Sequence, residues 1–470
     1  MPQINIMPSN FVARRTFLMS DQEDFGSFSG DINPIHVDPI FARRTISGEC
    51  IVHGVHGVMW ALENVLQNYD FKISRFEADF LKPITLGQEI ICSIDLEQRR
   101  IFLEHEKITF TKIQFTLSDT IPVQNTVLQK IPRLLLSEDR TFSDCSSTDS
   151  KRFGFSGEES IANKLFPKLI KTFGLVFVCE LAATSEIVGM RTPGLHSLFS
   201  GIEVTLADSN NISPVYKTIQ ADDRIGLLSL SVEATSLNAS IRTFFRTPPT
   251  KCPNIVQIGK SISKNEFSNV RALIIGGSRG LGELTAKMIS AGGGEVTITY
   301  HNGQSDAESI KNEISEFGGL CNVVHLSVED SFIFAASNFN QVYFFATPKI
   351  SPENSSSNNV KLYESYHRVY VQAFEKLCSK FADSDVNTSL FYPSTTFLDS
   401  DKHSFPSYAR AKLEGEELCA KIMKTTDIKI LSPRLPRLET DQTLSIYKSK
   451  FPDPIEVFLP FIREMTAKIK

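Results

Sequence analysis

Two residues near the amino terminus have the types and spacing for proton chemistry. Asp31 and His36 lie in FSGDINPIHVDPIFA, residues 28–42. A carboxylate and an imidazole held together share one water: one takes its proton while the other delivers a proton elsewhere, as adding water across an activated double bond requires. Pro34 restricts Asn33 to extended backbone, so the segment reads as a shaped turn rather than a helix. In IVHGVHG, residues 51–57, Gly54 precedes an apolar helical run. An amide at such a helix start hydrogen-bonds a thioester carbonyl as negative charge gathers on it. His53 and His56 read as structural, one at the helix start and one packed in the core.

A second constellation lies far downstream. GGSRGLG, residues 276–282, follows the strand-like ALII and precedes the helical ELTAKMIS. Between strand and helix, Gly276, Ser278, Arg279, Gly280, Leu281 and Gly282 form a candidate cradle for a dinucleotide pyrophosphate. The next strand, VTITYHNG, has no carboxylate for a ribose 2′-hydroxyl, whereas Arg279 suits a 2′-phosphate, which favours NADP over NAD. In YARAK, Tyr408 and Lys412 are one helical turn apart, so an ammonium there lowers the phenol's pKa toward neutrality.

The rest of the chain must position these groups. It has 470 residues, 49 Lys+Arg against 54 Asp+Glu, 41% hydrophobic and 22% charged residues. That balance excludes wholesale disorder and argues against a nucleic-acid partner. No apolar stretch reaches eighteen residues, and MPQINIMPSN lacks the basic-then-apolar order of a secretory signal, so no membrane span and a cytoplasmic location are expected. The eight cysteines are scattered without CxxC, so no metal is expected.

Two polar stretches, 137–160 and 247–269, read as linkers and divide the chain into blocks 1–136, 160–246 and 270–470. Block one offers a helix around Val58–Leu66, then the alternating runs EIICSIDLEQ, RIFLEHEKITF and KIQFTLSD. Block two repeats that plan: an apolar helical stretch over Leu165–Ile187, then LFSGIEVTLAD, SPVYKTIQADD, IGLLSLSVEAT and ASIRTFFRTP. Block three alternates strands with helices, the signature of a parallel sheet covered on both faces.

SGDxNPxHxD, then HG at 53–54 and FLKPITLGQEI at 80–90, resembles the MaoC-like enoyl thioester hydratases and dehydratases over most of residues 8–120. The resemblance implies a hot-dog fold, catalytic Asp31 and His36, an oxyanion role for the Gly54 amide, and (3R)-hydroxyacyl or trans-2-enoyl substrates on coenzyme A or acyl carrier protein. Block two, with VGMRTPGLHSLFS at 188–200 and a lone His196, then reads as a non-catalytic second hot-dog. Arg191, Asp222, Asp223 and Arg224 stand either at the junction of the two or in solvent.

Residues 270–445 resemble the short-chain dehydrogenase/reductase family, through GGSRGLG and the later YARAK. That implies Tyr408 as proton donor, Lys412 as its tuner and ribose ligand, and a hydroxyl of Ser394 or Thr395 on the substrate carbonyl. FFATP at 344–348, Tyr370 and Ser327 replace the family's Asn-Ala-Gly element, helix asparagine and adenine-side aspartate. Arg434 and Arg437 either meet a phosphate or are solvated. The expected architecture is an α+β double hot-dog followed by an α/β Rossmann-type doubly wound parallel sheet. The expected function pairs NADPH-dependent 3-oxoacyl reduction with (3R)-hydroxyacyl dehydration, in either direction. The alternatives are a dehydratase with a degenerate reductase domain, and a non-catalytic NADP-sensing or carrier-docking scaffold. A homodimer is a further expectation.

Overall fold

A computed structural model describes residues 10–120, 127–207, 213–249, 251–350, 353, 359–382, 387–400, 405–440 and 451–467. The chain start and positions 441–443 of the PRLPRLETDQT string lie outside them. Two compact units result, Met1–Pro248 and Pro249–Lys470.

The first unit is built on one antiparallel sheet. Its strands are β1 (Asn10–Thr16), β2 (Lys72–Phe80), β3 (Glu89–Asp95), β4 (Arg100–His105), β5 (Ile108–Ser118), β6 (Lys151–Arg152), β7 (Ser197–Leu206), β8 (Val215–Asp222), β9 (Leu227–Glu233) and β10 (Leu237–Phe245). Their order is β1-β3-β4-β5-β2-β7-β10-β9-β8-β6. Blocks one and two therefore share a sheet, joined where β2 pairs β7 from Arg75↔Thr205 to Asp79↔Gly201. Alternation sets the buried face: β9 turns Leu228, Leu230 and Val232 inward, and β3 turns Ile90, Cys92 and Ile94.

Three helices carry or enclose the candidate groups: α1 (Met19–Ser29), α2 (Gly54–Asn68) and α3 (Leu175–Glu186). Val55, Val58, Met59, Ala61, Leu62 and Val65 of α2 are all 0% exposed. A helix apolar nearly all round must be enclosed, and α2 and α3 lie inside one continuous core with the sheet. Fully burying each such Val, Leu or Met is worth about 1.5–3 kcal/mol.

Several sequence expectations give way. RIFLEHEKITF is not one strand: Glu106 and Lys107 take φ 46° and 67° and turn it into the β4–β5 hairpin. Leu165–Ile187 is not one helix, because Gly174 (φ 88°) breaks it before α3. The 137–160 stretch is packed rather than a linker, since Cys145, Phe153 and Phe155 are 0–3% exposed. Pro34–Val37 forms one helical turn: Asn33 stays extended as Pro34 demands, and Pro34 then opens the turn, with the Asn33 side chain capping Ile35 N–H.

The second unit holds a parallel sheet of β11 (Arg271–Ile275), β12 (Glu295–Tyr300), β13 (Leu320–His325), β14 (Gln341–Phe344), β15 (Ser389–Phe391) and β17 (Lys429–Leu431), with β16 (Ser394–Thr395) and β18 (Arg434–Leu435) as a separate parallel pair. The order β13-β12-β11-β14-β15-β17 reverses direction beside β11, the arrangement of dinucleotide-binding sheets. Helices α4 (Gly280–Ala291), α5 (Gln304–Glu316), α6 (Asn359–His367), α7 (Phe374–Ala382), α8 (Pro406–Thr425) and α9 (Pro454–Ala467) cover two cores, one on each face. The unit begins before 270: Ile255, Ile258, Ile262 and Phe267, inside the expected second linker, are at most 8% exposed and pack in its core. The β13–β14 crossover holds only the short turn Ala336–Asn338, and a cavity of about 300 Å³ opens there against Leu273, Thr297 and Thr299. No single helix among the described residues is long and apolar enough to cross a membrane.

Candidate active site

Helix α1 ends at Gly30 (φ 84°) and delivers Asp31 into the core, 2% exposed. Around it the chain supplies fixed donors. Asn33 N–H donates to Asp31 Oδ1 (3.1 Å), and Asp31 N–H donates to Ser29 Oγ (3.1 Å). His36 sits on the short turn opened by Pro34 and keeps part of its surface open. Its Nδ1–H donates to Ile51 O (2.8 Å), which leaves Nε2 as the bare nitrogen.

His53 ties the couple together. Its ring stacks on His36, centroids 3.7 Å apart at 23°. Its Nε2 lies 2.9 Å from Asp31 O and donates to it; its Nδ1 lies 2.9 Å from Gln22 Oε1, which also accepts the His53 main-chain N–H. One carboxylate oxygen of Asp31 and one ring nitrogen each of His36 and His53 lie within 4.8 Å of one another. The two predicted residues thus face each other. His53 occupies the N-cap position of α2 without capping it through its side chain, and His56 is a packed core histidine, stacked 4.6 Å from Phe25.

Burial governs the charges. It raises the Asp31 pKa above the ordinary 3.8, against the His36 charge and the bonds from Ser185 and Asn33. Burial also pushes His36 down to about 3, helped by His53. Burial thus disfavours the charged form of both groups, and the uncharged pair is a protonated carboxyl beside a neutral imidazole. Moving that proton across gives carboxylate and imidazolium, so one protonation state serves both directions of a water addition.

The far half of the sheet completes the site, which sequence reasoning missed. Ser185 on α3 donates to Asp31 Oδ2 at 2.7 Å. Asn33 Nδ2 donates to Gly189 O (2.7 Å) and Gly194 O (3.1 Å). A Cβ on Gly189 would lie 2.2 Å from Asp31 Oδ1, so only glycine fits. The available signal was a glycine inside an apolar helical run, ATSEIVGM. Of the junction candidates, Arg191 is there, paired to buried Glu186 at 2.7 Å. Asp222 and Arg224 instead pair with each other in an exposed hairpin turn.

Gly54 is the first residue of α2, where the amide has no intrahelical acceptor. A Cβ there would meet the Phe80 ring at 2.9 Å. The Asp31–His36–His53 cluster has ligand-type atoms, but His53 has an oxygen against each ring nitrogen, so it makes a poor third metal ligand as folded.

In the second unit Gly276 takes φ 78°, and its Cβ would lie 2.9 Å from Ala346 N, so the turn is as tight as the glycine pattern implies. Gly280, Leu281 and Gly282 open α4, and Ser278 and Arg279 precede it. These residues fit a pyrophosphate at the helix start.

The proton-transfer end departs from expectation. Tyr408 bonds the Thr395 hydroxyl, but burial pushes its pKa up to about 12 rather than toward neutrality. Lys412 does not tune it: its ammonium is held on Pro393 O (2.8 Å) over the Tyr370 ring (3.9 Å) and the Tyr392 ring (5.0 Å), and burial lowers its pKa to about 7. Ser394 donates to Glu416, so Thr395 is the hydroxyl beside Tyr408. Arg434 pairs with Glu416 (2.7 Å) and Asp399, leaving the phosphate reading without support.

Residues 6–116 match the family described as MaoC like domain. A stretch of 80 residues is 36% identical to the peroxisomal multifunctional enzyme type 2 of Mus musculus, covering 16% of this chain and 11% of that protein. Among solved structures, the oxidoreductase yciK of E. coli is similar at 16% identity and TM-score 0.38, over 43% of this chain and 92% of that one. A short chain dehydrogenase of Shigella flexneri 2a str. 301 complexed with NADP is similar at 16% identity and TM-score 0.37, over 44% and 96%. The first unit thus carries a MaoC-like domain of hot-dog type, with Asp31, His36 and Gly54 inside the matched residues.

Proposed function

We propose that the first unit is a double hot-dog that hydrates 2-enoyl thioesters and dehydrates (3R)-hydroxyacyl thioesters, on coenzyme A or an acyl carrier protein. The supporting observation is the Asp31–His36 couple, set face to face where burial disfavours charge on both, with a bare His36 Nε2. In hydration His36 Nε2 takes a proton from water as its oxygen attacks C3, and the Asp31 carboxyl delivers its proton to C2. Dehydration reverses both transfers. The Gly54 amide donates to the thioester oxygen while charge builds there. Hydration of a but-2-enoyl thioester, followed by loss of its conjugated absorbance, tests this. An undiminished rate in Asp31→Asn overturns it.

The second unit is proposed to bind NADP(H) on the Gly276–Gly282 loop, with Arg279 toward the 2′-phosphate, and to reduce the 3-oxoacyl thioester that precedes dehydration. When bound, the dinucleotide supplies a hydride to the carbonyl carbon. Tyr408 hands the proton to the carbonyl oxygen, steadied by Thr395. A second reading has a specific observation in its favour: Lys412 and Ser394 are both engaged inside the protein, on Pro393 O and Glu416. That suits a unit that binds the dinucleotide without turnover. NADPH consumption with a 3-oxoacyl thioester separates the two; binding without consumption favours the second.

A further inference from the structure

One buried charge in the first unit has no counter-ion. Arg246, just beyond β10, is 5% exposed. Its Nε donates to Ser197 O (2.7 Å), its Nη2 to Leu195 O (2.9 Å), and its main-chain N–H to His196 O (2.7 Å). Among the described residues no carboxylate pairs with it and nothing accepts from Nη1. The less buried Arg191 and Arg242, by contrast, pair with Glu186 and with Glu77 and Asp79. Burial lowers the Arg246 pKa only to about 10, so it remains cationic at neutral pH. A guanidinium largely withdrawn from water and left without an anion is costly, and an arriving anion relieves that cost.

Its position says where that anion would come from. The loop it grips, 195–197, continues from Gly194, whose carbonyl accepts from Asn33 beside Asp31. Two residues past Ser197, Phe199 meets Phe80 edge-on at 5.3 Å, and Phe80 is the ring against Gly54. His36 also feels the Arg246 charge. A second polar group on the loop is incomplete: His196, 5% exposed, has Nε2 3.1 Å from Asp139 Oδ1, while its Nδ1 is buried without a partner.

We propose that Arg246 and His196 form a carboxylate subsite of the acyl pocket, so that the substrates are thioesters whose acyl group bears a second carboxylate, the half-thioesters of short dicarboxylic acids. This deepens the hydratase reading and rests on it. Nη1 and the second hydrogen of Nη2 form the end of the guanidinium fork, which matches a carboxylate with two parallel bonds. A carboxylate seated there also draws a proton onto His196, whose Nε2–H then faces Asp139 and whose Nδ1–H faces the ligand. The phosphate of a pantetheine arm is at the far end of that arm from the thioester, so the anion belongs to the acyl group. It lies few carbons beyond C3, since the loop that Arg246 grips runs on from Gly194, whose carbonyl accepts from Asn33 beside Asp31.

The test compares hydration of the half-thioester of a trans-butenedioic acid with that of a but-2-enoyl thioester. The carboxylated substrate is expected to have the higher kcat/KM. In Arg246→Gln the preference, the ratio of kcat/KM for the carboxylated over the but-2-enoyl substrate, falls by about ten- to a hundred-fold, the loss of a hydrogen bond to a charged group. A free short dicarboxylate is expected to inhibit the wild-type enzyme more strongly than the monocarboxylate of equal length. This measurement needs no variant and decides the matter if Arg246→Gln does not fold. Normal but-2-enoyl hydration with no preference for the carboxylated substrate, or equal inhibition by the two acids, overturns the subsite and leaves the hydratase reading standing. Failure to hydrate either thioester overturns both.

Discussion

The Ser185 hydroxyl and the Asp31 carboxylate lie 2.7 Å apart although 154 residues separate them in sequence. The half of the sheet that lacks the SGDxNPxH string thus holds Asp31 of the other half. Ser185→Ala is expected to lower kcat for hydration by about ten- to a hundred-fold, as for a lost hydrogen bond to a charged group, with KM little changed. Ser185→Thr, which keeps the hydroxyl, recovers part of it. Circular dichroism and stopped hydration assays check both.

Gly189 makes the same point by exclusion. A methyl there would stand 2.2 Å from Asp31 Oδ1. Gly189→Ala is expected to abolish hydration while the second unit's NADPH binding persists. Retained activity in that variant would mean that Asp31 need not occupy its present position.

Asp31 costs the fold stability wherever it ionises. Its folded pKa is above the ordinary 3.8, so its favourable contribution is whole below 3.8 and fades as pH rises through the raised value. Asp31→Asn keeps a neutral group at every pH. That variant is expected to be inactive yet to melt above the parent at neutral pH, the gap closing as pH falls toward 3.8. With Asp31 as proton donor and His36 as acceptor, the parent's hydration rate needs both in their uncharged forms. It falls on the alkaline side as Asp31 ionises and on the acid side only toward about 3, where His36 takes a second proton.

His56 carries the opposite sign. Both ring nitrogens are buried without partners, and burial holds its pKa well below the ordinary 6.5. The folded state therefore loses stability as pH drops below 6.5. His56→Phe fits a ring already stacked on Phe25 and edge-on to Phe17. It should stabilise the protein by about 1–3 kcal/mol, the cost of an unsatisfied buried polar group, with a larger gain in acid. Thermal melts across pH measure it.

In the second unit, NADPH is expected to bind more tightly than NADH, and Arg279→Ala to remove most of that preference. Titration of both dinucleotides by intrinsic fluorescence checks this. Tighter NADH binding in the wild type would exclude the 2′-phosphate role.

Local patterns were legible where one residue type has one job. Alternation in EIICSID and LLSLSVE, the Gly276–Gly282 turn between strand and helix, and the SGDxNPxH string all state a backbone shape or a chemistry directly. What escaped depends on contacts distant in sequence. Ser185 looks ordinary in its own segment and meets Asp31 only in a fold where β2 pairs with β7. The 137–160 stretch misled because Ser and Asp outnumber the few aromatics that anchor it. The Tyr408–Lys412 spacing was read correctly, but spacing fixes only a helical face. Depth of burial and the Pro393 carbonyl decide where the ammonium goes.

The β2–β7 seam also changes how the reactive centre responds to dilution. Where two separate subunits must meet to bring a serine to an acid, the fraction of complete centres falls with concentration. Here both sides of the seam belong to one polypeptide, so their encounter is intramolecular. Turnover per molecule should stay constant down to vanishing protein levels, whatever larger assemblies the chain forms.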